Sequence, residues 1–238
     1  MPVVTTHLIG RFGNQCFLYC YSRAYAEKYG YDFQCVDWVG QKIFNLNDAP
    51  ITNHQLPRRH ENHLNGEGDI DIGGYAQQQS CLIYTRKQVK RWFTFRESVR
   101  DKLRDLIPPV AAAAHRRVGD YPTLGYVVVS LDSYWRACRK FGYDPNMVMM
   151  FTEENQITRN DDLPSFLTDF YQMSQASVLF RGNSSFSFWA ATLSNAKIYA
   201  PVIEGLEGGK EQDCEFIEGN WPRFASLPFV TDLHLKEE

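Results

Sequence analysis

Apolar residues along the chain fall into two patterns. Short apolar runs at Val3 to Ile9, Tyr31 to Trp38, Val110 to Ala114, Met147 to Phe151, Ser177 to Phe180 and Ala196 to Ala200 have the length of buried strands. Between them, apolar positions recur at three- and four-residue steps, which is helical spacing. Phe17, Tyr21, Ala24, Tyr25 and Lys28 form one amphipathic run, with Gly30 as a stop signal. Arg86 to Phe95 and Arg96 to Ile107 read as helices, the second with Val99, Leu103 and Leu106 on one face. Asp132 to Phe141 is a helix closed by Gly142, and Phe166 to Ser174 is another. Asp69 to Tyr75 reads as a strand and turn, and the polar stretch Asn45 to Gly68 as a long loop. Strands that alternate with helices predict an α/β fold with parallel sheets. Pro108-Pro109 ends a helix and marks the expected boundary between two domains, 1–108 and 109–238. The glycine-rich, acidic tail from Glu204 onward has Trp221 and Phe224 as anchors but no clear pattern.

One stretch organises the second half. Ser177 to Phe180 is a strand, Gly182-Asn183-Ser184-Ser185 a polar turn, and Phe186, Trp189, Ala190 and Leu193 the apolar face of a helix. Asn or Ser can cap such a helix, and its N-terminus offers N–H groups and a positive dipole end to an anion. An ordinary capped helix is the competing explanation. The first half opens the same way: a strand, the turn Gly10-Arg11-Phe12-Gly13-Asn14-Gln15, then a helix. That turn matches neither G-x-G-x-x-G nor the P-loop pattern. His115-Arg116-Arg117 follows the Val110 strand directly. Arginine at the carboxyl end of a parallel strand is well placed to bind a diphosphate through its planar fork; a surface loop with ion pairs is the alternative.

Composition narrows the function. The chain has 238 residues and a net charge of -3, without the basic excess of a dedicated nucleic-acid binder. No apolar run reaches the length of a membrane span, and the start lacks a leader-like core. Six cysteines are scattered without a C-x-x-C pair, as free thiols in a reducing compartment. A cytoplasmic protein is expected, with a peripheral place at a membrane also compatible. Asp69-x-Asp71 resembles the D-x-D of metal-dependent sugar transferases, and strand alternation would set both carboxylates on one solvent face. His60-x-x-His63 has metal-ligand spacing, but no acids or cysteines fix it there; a solvated loop accounts for it.

Three spaced motifs carry a family resemblance. Gly10-Arg11-Phe12-Gly13-Asn14-Gln15 resembles the G-x-x-G-N-Q opening of the α-1,2-fucosyltransferases, and protein O-fucosyltransferases share a similar hexapeptide. His115-x-Arg117-x-Gly119-Asp120-Tyr121 resembles their H-x-R-R-G-D-Y, with Val118 in place of the second arginine. Asn183-Ser184-Ser185-Phe186-Ser187-Phe188-Trp189-Ala190-Ala191 resembles S-N-S-S-F-S-W-W-A-A, preceded here by Arg181-Gly182. Gly74-Tyr75-x-Gln77 and Ser133-Tyr134-Trp135-x-x-Ala137 support it. The matches run in order along nearly the whole chain.

The resemblance implies a GT-B-like fold, two Rossmann-like halves facing across a cleft. It implies an inverting transferase that moves L-fucose from GDP-β-L-fucose to a glycan hydroxyl, as an α-1,2 linkage to a galactose-type acceptor that could be lipid-linked. Arg117 would bind the diphosphate, and His115 would lie near the nucleotide. Asn183, Ser184, Ser185 and Phe186 would close around the phosphates, and Glu153 would pair with guanine. Gly13 and Asn14 would reach the phosphate and sugar from the first half. Asp120 would act as general base or brace the arginine loop. With Arg117 and a helix start stabilising the leaving diphosphate, no metal or other cofactor is expected. Two alternatives stay open: a rhamnose or xylose nucleotide donor, and a catalytically silent glycan- or nucleotide-binding module.

Overall fold

The structure is a computed structural model that describes residues 1–106, 108–152, 163–203 and 205–219. It divides into two compact units, the first holding residues 1–99 and the second beginning at Arg100.

In the first unit β1 (Val3–Thr6) leads through α1 (Phe12–Tyr29) to β2 (Asp32–Cys35), then α2 (Val39–Ile43), β3 (Ala49–Pro50), β4 (Arg58–His60) and β5 (Ile70–Gly73). The helices α3 (Arg86–Trp92) and α4 (Glu97–Leu106) follow, α4 running across the unit boundary. The sheet has the order β3-β2-β1-β5-β4 and every pairing is parallel, so β1 is central. Thr5 lies opposite Asp71 in the β1–β5 register.

The helix expected after the first turn is present, but it is buried on nearly every side from Phe12 to Ala26 rather than along one stripe. Its tyrosines make this tolerable by bonding outward. Tyr19 donates to Asp48 Oδ2 at 2.7 Å, Tyr21 to the Glu61 carbonyl at 3.0 Å and Tyr25 to the Glu67 carbonyl at 3.0 Å. All three acceptors lie in the polar segment 45–68, which is thereby tied down across the helix. Buried hydroxyls need such partners. That segment is not the plain loop its composition suggests: it supplies both edge strands and a 3₁₀ turn, Glu61–His63. Strands of two or three exposed residues show no alternation to read. Gly30 ends α1 with φ of 69°, a left-handed stop that glycine adopts without strain. Thr85 and Gln88 form a reciprocal capping box on α3.

The second unit contains β6 (Ala112–His115), β7 (Val128–Val129), α5 (Leu131–Lys140), β8 (Val148–Phe151), α6 (Leu167–Gln175), β9 (Val178–Phe180), α7 (Ser185–Leu193), β10 (Lys197–Val202), β11 (Glu211–Gln212) and β12 (Glu215–Glu218). Its main sheet has the order β12-β10-β9-β6-β8, parallel except for β12. The small pair β7–β11 is parallel. The alanines of β6 are buried between β8 and β9, where Tyr134, Phe180, Tyr199 and Phe216 fill the layer. Phe180 and Tyr199 stack at 4.8 Å between centroids. Part of the tail that lacked a pattern is thus structured: of β12 only Phe216 is buried, too few apolar positions to signal a strand.

Five of the six cysteines are buried and all six are free thiols. No helix among the described residues is long and apolar enough to cross a membrane.

Candidate functional site

The adjacent strands β6 and β9 end side by side, with Ala114 opposite Phe180. Their carboxyl ends carry the two motifs that the sequence separates by more than 60 residues. His115 closes β6 and Arg117 follows two residues later. Arg181-Gly182-Asn183-Ser184 leaves β9 and enters α7. In parallel α/β sheets this edge is where ligands gather.

Several contacts lock the two segments together. Tyr121 donates to the Asn183 carbonyl at 3.0 Å, and Tyr134 to the His115 carbonyl at 2.7 Å. Ser184 Oγ lies 3.5 Å from His115 Nδ1, and the Phe186 ring is 5.5 Å from the His115 ring. Gly182 is demanded by this crowding: a Cβ there would sit 2.7 Å from the His115 carbonyl oxygen. Burial, and then the nearby Arg181 charge, pull the His115 pKa down to about 3, so the imidazole is neutral at physiological pH.

The neighbouring arginines divide their tasks. Arg116 anchors the loop, donating from Nε to the Val129 carbonyl at 2.9 Å and from Nη2 to Glu211 at 2.7 Å. Arg117 pairs with Asp120 and lies 5.2 Å over the Tyr121 ring. Asp120 therefore braces the guanidinium directly. Arg181, which sequence reasoning noted only as a departure from the motif, is fully buried at the same edge. It donates from Nε to the Gly182 carbonyl at 3.2 Å and lies 5.6 Å over Phe188. Burial lowers its pKa to about 9, which leaves it charged at neutral pH. An arginine directly after the apolar run Val178-Leu179-Phe180 was its signal in the sequence.

Ser184 is the cap of α7: its Oγ accepts from the Ser187 N–H at 3.2 Å and lies 3.1 Å from Ser187 Oγ. Being buried, that hydroxyl serves the helix start itself. Ser185 and Phe186, partly buried, are the more open residues of the turn. Asn183 donates to the Val127 carbonyl at 2.8 Å, while its Oδ1 is buried with no hydrogen-bond partner among the described residues. Glu153 lies outside the described residues.

In the first unit, Gly13 is buried in the first turn of α1 and Asn14 is partly exposed beside it. Gln77 donates to Asn14 Oδ1 at 2.8 Å, which gives a reason for the Gly74-Tyr75-x-Gln77 match. The turn carrying Gln77 is held by Glu61, whose Oε1 accepts from the N–H groups of Tyr75 and Ala76 at 3.3 and 3.1 Å. Gly10 has φ of 75°, and a Cβ there would lie 2.7 Å from Asn14 Nδ2.

The expectation of two aspartates on one solvent face is corrected. Asp69 precedes β5 with φ of 57° and accepts from the Val3 N–H. Asp71 is buried in a strand covered on both faces, bonded to Thr5 and His7. Alternation predicts exposure only where one face is open. Among the described residues no three His, Cys, Asp or Glu side chains cluster so as to hold a metal ion.

A groove of about 540 Å³ runs along α5 and β12, lined in part by Arg136, Lys140, Asp213 and Glu215. These four side chains pair with each other at 2.9 Å, and no candidate residue lines it.

This arrangement of elements matches solved structures. The structure of NodZ α-1,6-fucosyltransferase soaked with GDP-fucose aligns over 92% of this chain and 99% of its own, with a TM-score of 0.58 and 14% identity. The α/β, GT-B-like fold expected from the sequence is that of NodZ. The NodZ fucosyltransferase from Bradyrhizobium gives a TM-score of 0.58 at 12% identity over 92% of this chain and 99% of its own. NodZ co-crystallised with GDP gives 0.55 at 13% identity over 92% and 98%. No protein-family model matches the chain, and no curated protein matches it.

Proposed function

We propose that the chain is an inverting glycosyltransferase that moves L-fucose from GDP-β-L-fucose to a glycan hydroxyl without a metal. One observation carries the reading: Arg117 and the start of α7 lie at the ends of adjacent parallel strands, with the buried cation Arg181 between the β9 end and the helix. Such an edge concentrates fixed positive potential where the leaving diphosphate develops charge. The likeness in fold to NodZ, which was soaked with GDP-fucose, supports the donor class.

In this reading the domain at 109–238 holds the donor and the domain at 1–108 the acceptor. Arg117 grips the diphosphate through its fork, and Asp120 keeps that fork aimed. Ser185 and Phe186, at the open side of the helix start, close on the phosphates, while Asn183, Ser184 and neutral His115 shape the pocket wall. Glu153 pairs with the guanine edge, whose two donors suit a carboxylate. Gly13 and Asn14 serve the sugar and phosphate from the first unit. Attack from the face opposite the diphosphate turns a β-linked donor into an α-linked product. The motif resemblance favours an α-1,2 linkage to a galactose-type acceptor, free or lipid-linked.

The test is calorimetric titration with GDP, UDP and ADP in EDTA, followed by transfer assays with GDP-fucose and galactosides. GDP binding alone, followed by transfer, is expected. Preference for UDP would replace the donor, and no nucleotide binding with or without manganese would overturn the reading. Linkage analysis of the product separates α-1,2 from α-1,6 transfer.

A further inference from the structure

The loop that carries Arg117 is held by a segment far along the chain. Residues 116–127 join β6 to β7, and residues 207–213, which include β11, run beside them. β11 pairs with β7, Glu211 opposite Val128. The Val128 N–H donates to the Lys210 carbonyl and the Ser130 N–H to the Gln212 carbonyl, both at 2.9 Å. One bond reaches into the loop itself: the Gly209 N–H donates to the Tyr126 carbonyl at 2.9 Å. Gly208 lies against the turn at Gly125, where a Cβ would come within 1.9 Å of the Gly125 carbonyl oxygen. Only glycine permits so close an approach of two backbones.

A relay of contacts runs from there to the site. The Tyr126 N–H donates to the Tyr121 carbonyl at 2.9 Å, and the two rings lie 5.0 Å apart. Tyr121 carries the Arg117 guanidinium over its ring and donates its hydroxyl to the Asn183 carbonyl. Arg116 supplies a second route. Its backbone N–H donates to the Phe151 carbonyl at 3.0 Å, its Nε to the Val129 carbonyl at the end of β7, and its Nη2 to Glu211. Arg116 and Arg117 share a planar peptide, so fixing the first at backbone and side chain restricts the direction in which the second leaves the strand.

We infer that residues 207–213 form a clasp that sets the position of Arg117 at the diphosphate, with Gly208 and Glu211 as its positioning residues; this rests on the glycosyltransferase reading above. Both act through the arginine loop and are assigned no contact with the donor. The clasp, the loop and Arg117 all lie in the second unit. A planar fork that grips two oxygens loses one of its bonds when its base shifts, so the place of the loop decides how well the phosphates are held.

The clasp sits outside the core. Residues 122–125 are exposed, and the Glu211 side chain is 54% open. Exposed ion pairs add little to global stability, and a loop of this kind opens without unfolding the sheet beneath it. Displacing the clasp therefore moves Arg117 while the fold stays. A merely structural contact would instead lower the melting temperature and weaken every ligand alike.

The experiment titrates the full chain with GDP and with guanosine by calorimetry, beside amide hydrogen exchange and thermal melting. The ratio of the two affinities reads the grip on the phosphates apart from the grip on the base. Gly208→Ala is expected to cut that ratio by about 10-fold or more, as for lost hydrogen bonds to a charged group, with guanosine affinity within about twofold of wild type. Exchange of the Tyr126 N–H should quicken in the same variant. Glu211→Lys sets a like charge against Arg116 and should also cut the ratio. Glu211→Gln keeps an oxygen for Arg116 and should hold the ratio near that of wild type. An unchanged ratio in Gly208→Ala and Glu211→Lys, or an equal loss for guanosine, overturns the inference. If Gly208→Ala melts early, Glu211→Lys decides. If wild type binds neither ligand, the transferase reading falls, whereas unchanged exchange at Tyr126 in Gly208→Ala overturns the clasp alone.

Discussion

Gln77 reaches from the turn after β5 and donates its amide to Asn14 Oδ1 across 2.8 Å. The bond fixes the rotamer of the one polar side chain in the first turn of α1 that the fucosyltransferase reading places at the sugar. Gln77→Ala removes this bond without touching the core. Turnover should fall by about 10- to 100-fold through lost orientation. GDP affinity should fall less than turnover, because Asn14 is assigned to the sugar and phosphate and not to the base. Steady-state kinetics beside calorimetry checks this, and unchanged turnover would remove Asn14 from the site.

Arg117→Lys keeps the charge and loses the planar fork. Transfer should drop by about 10²-fold or more, as for loss of a preorganised charge at a leaving group. The fold should survive, because lysine keeps the positive charge beside Asp120 and over the Tyr121 ring. Kinetics with a thermal melt decides; unchanged turnover removes Arg117 from the site.

Gly182→Ala places a methyl 2.7 Å from the His115 carbonyl oxygen. The obstacle is backbone at the end of a central strand, so it cannot rotate away. Destabilisation of roughly 1–3 kcal/mol is expected, read as a lower urea midpoint. Loss of GDP binding should accompany it, since Ser184, the cap of α7, lies two residues further on.

His115 is held neutral, with a folded pKa of about 3. An unfolded histidine titrates near 6.5. Between those values the unfolded chain binds the extra proton, so stability contributed by the neutral ring is complete above about pH 6.5 and is lost as pH falls toward 3. The loss amounts to about 1.4 kcal/mol for each unit separating the two values. His115→Gln removes the titration, and urea midpoints between pH 7 and 4 should fall less steeply for the variant than for wild type.

The alternation of strand and helix was legible because long α1 and the buried runs of β1, β6 and β9 carry strong local signals. The cap at Ser184 was legible for the same reason. The edges β3, β4, β7 and β11 were not, because two or three residues hold no period. The His7–Asp71 pair and the place of Arg181 escaped for another reason. They depend on β1 lying beside β5 and β6 beside β9, and sheet order is set by packing rather than by local pattern. Asp69 and Asp71 misled because a left-handed residue at 69 breaks the alternation before the strand begins.

The free cysteines give the molecule an internal clock. Cys16, Cys20, Cys35 and Cys81 are buried in the first unit and Cys138 in the second, with Cys214 only partly covered there. Burial raises every one of these thiols, Cys81, Cys138 and Cys214 to about 11. A thiolate reagent therefore reacts with the buried positions only when the surrounding structure opens. Mass spectrometry of a timed alkylation would report, from the unmodified chain, which unit breathes first and whether a bound nucleotide slows one of them alone.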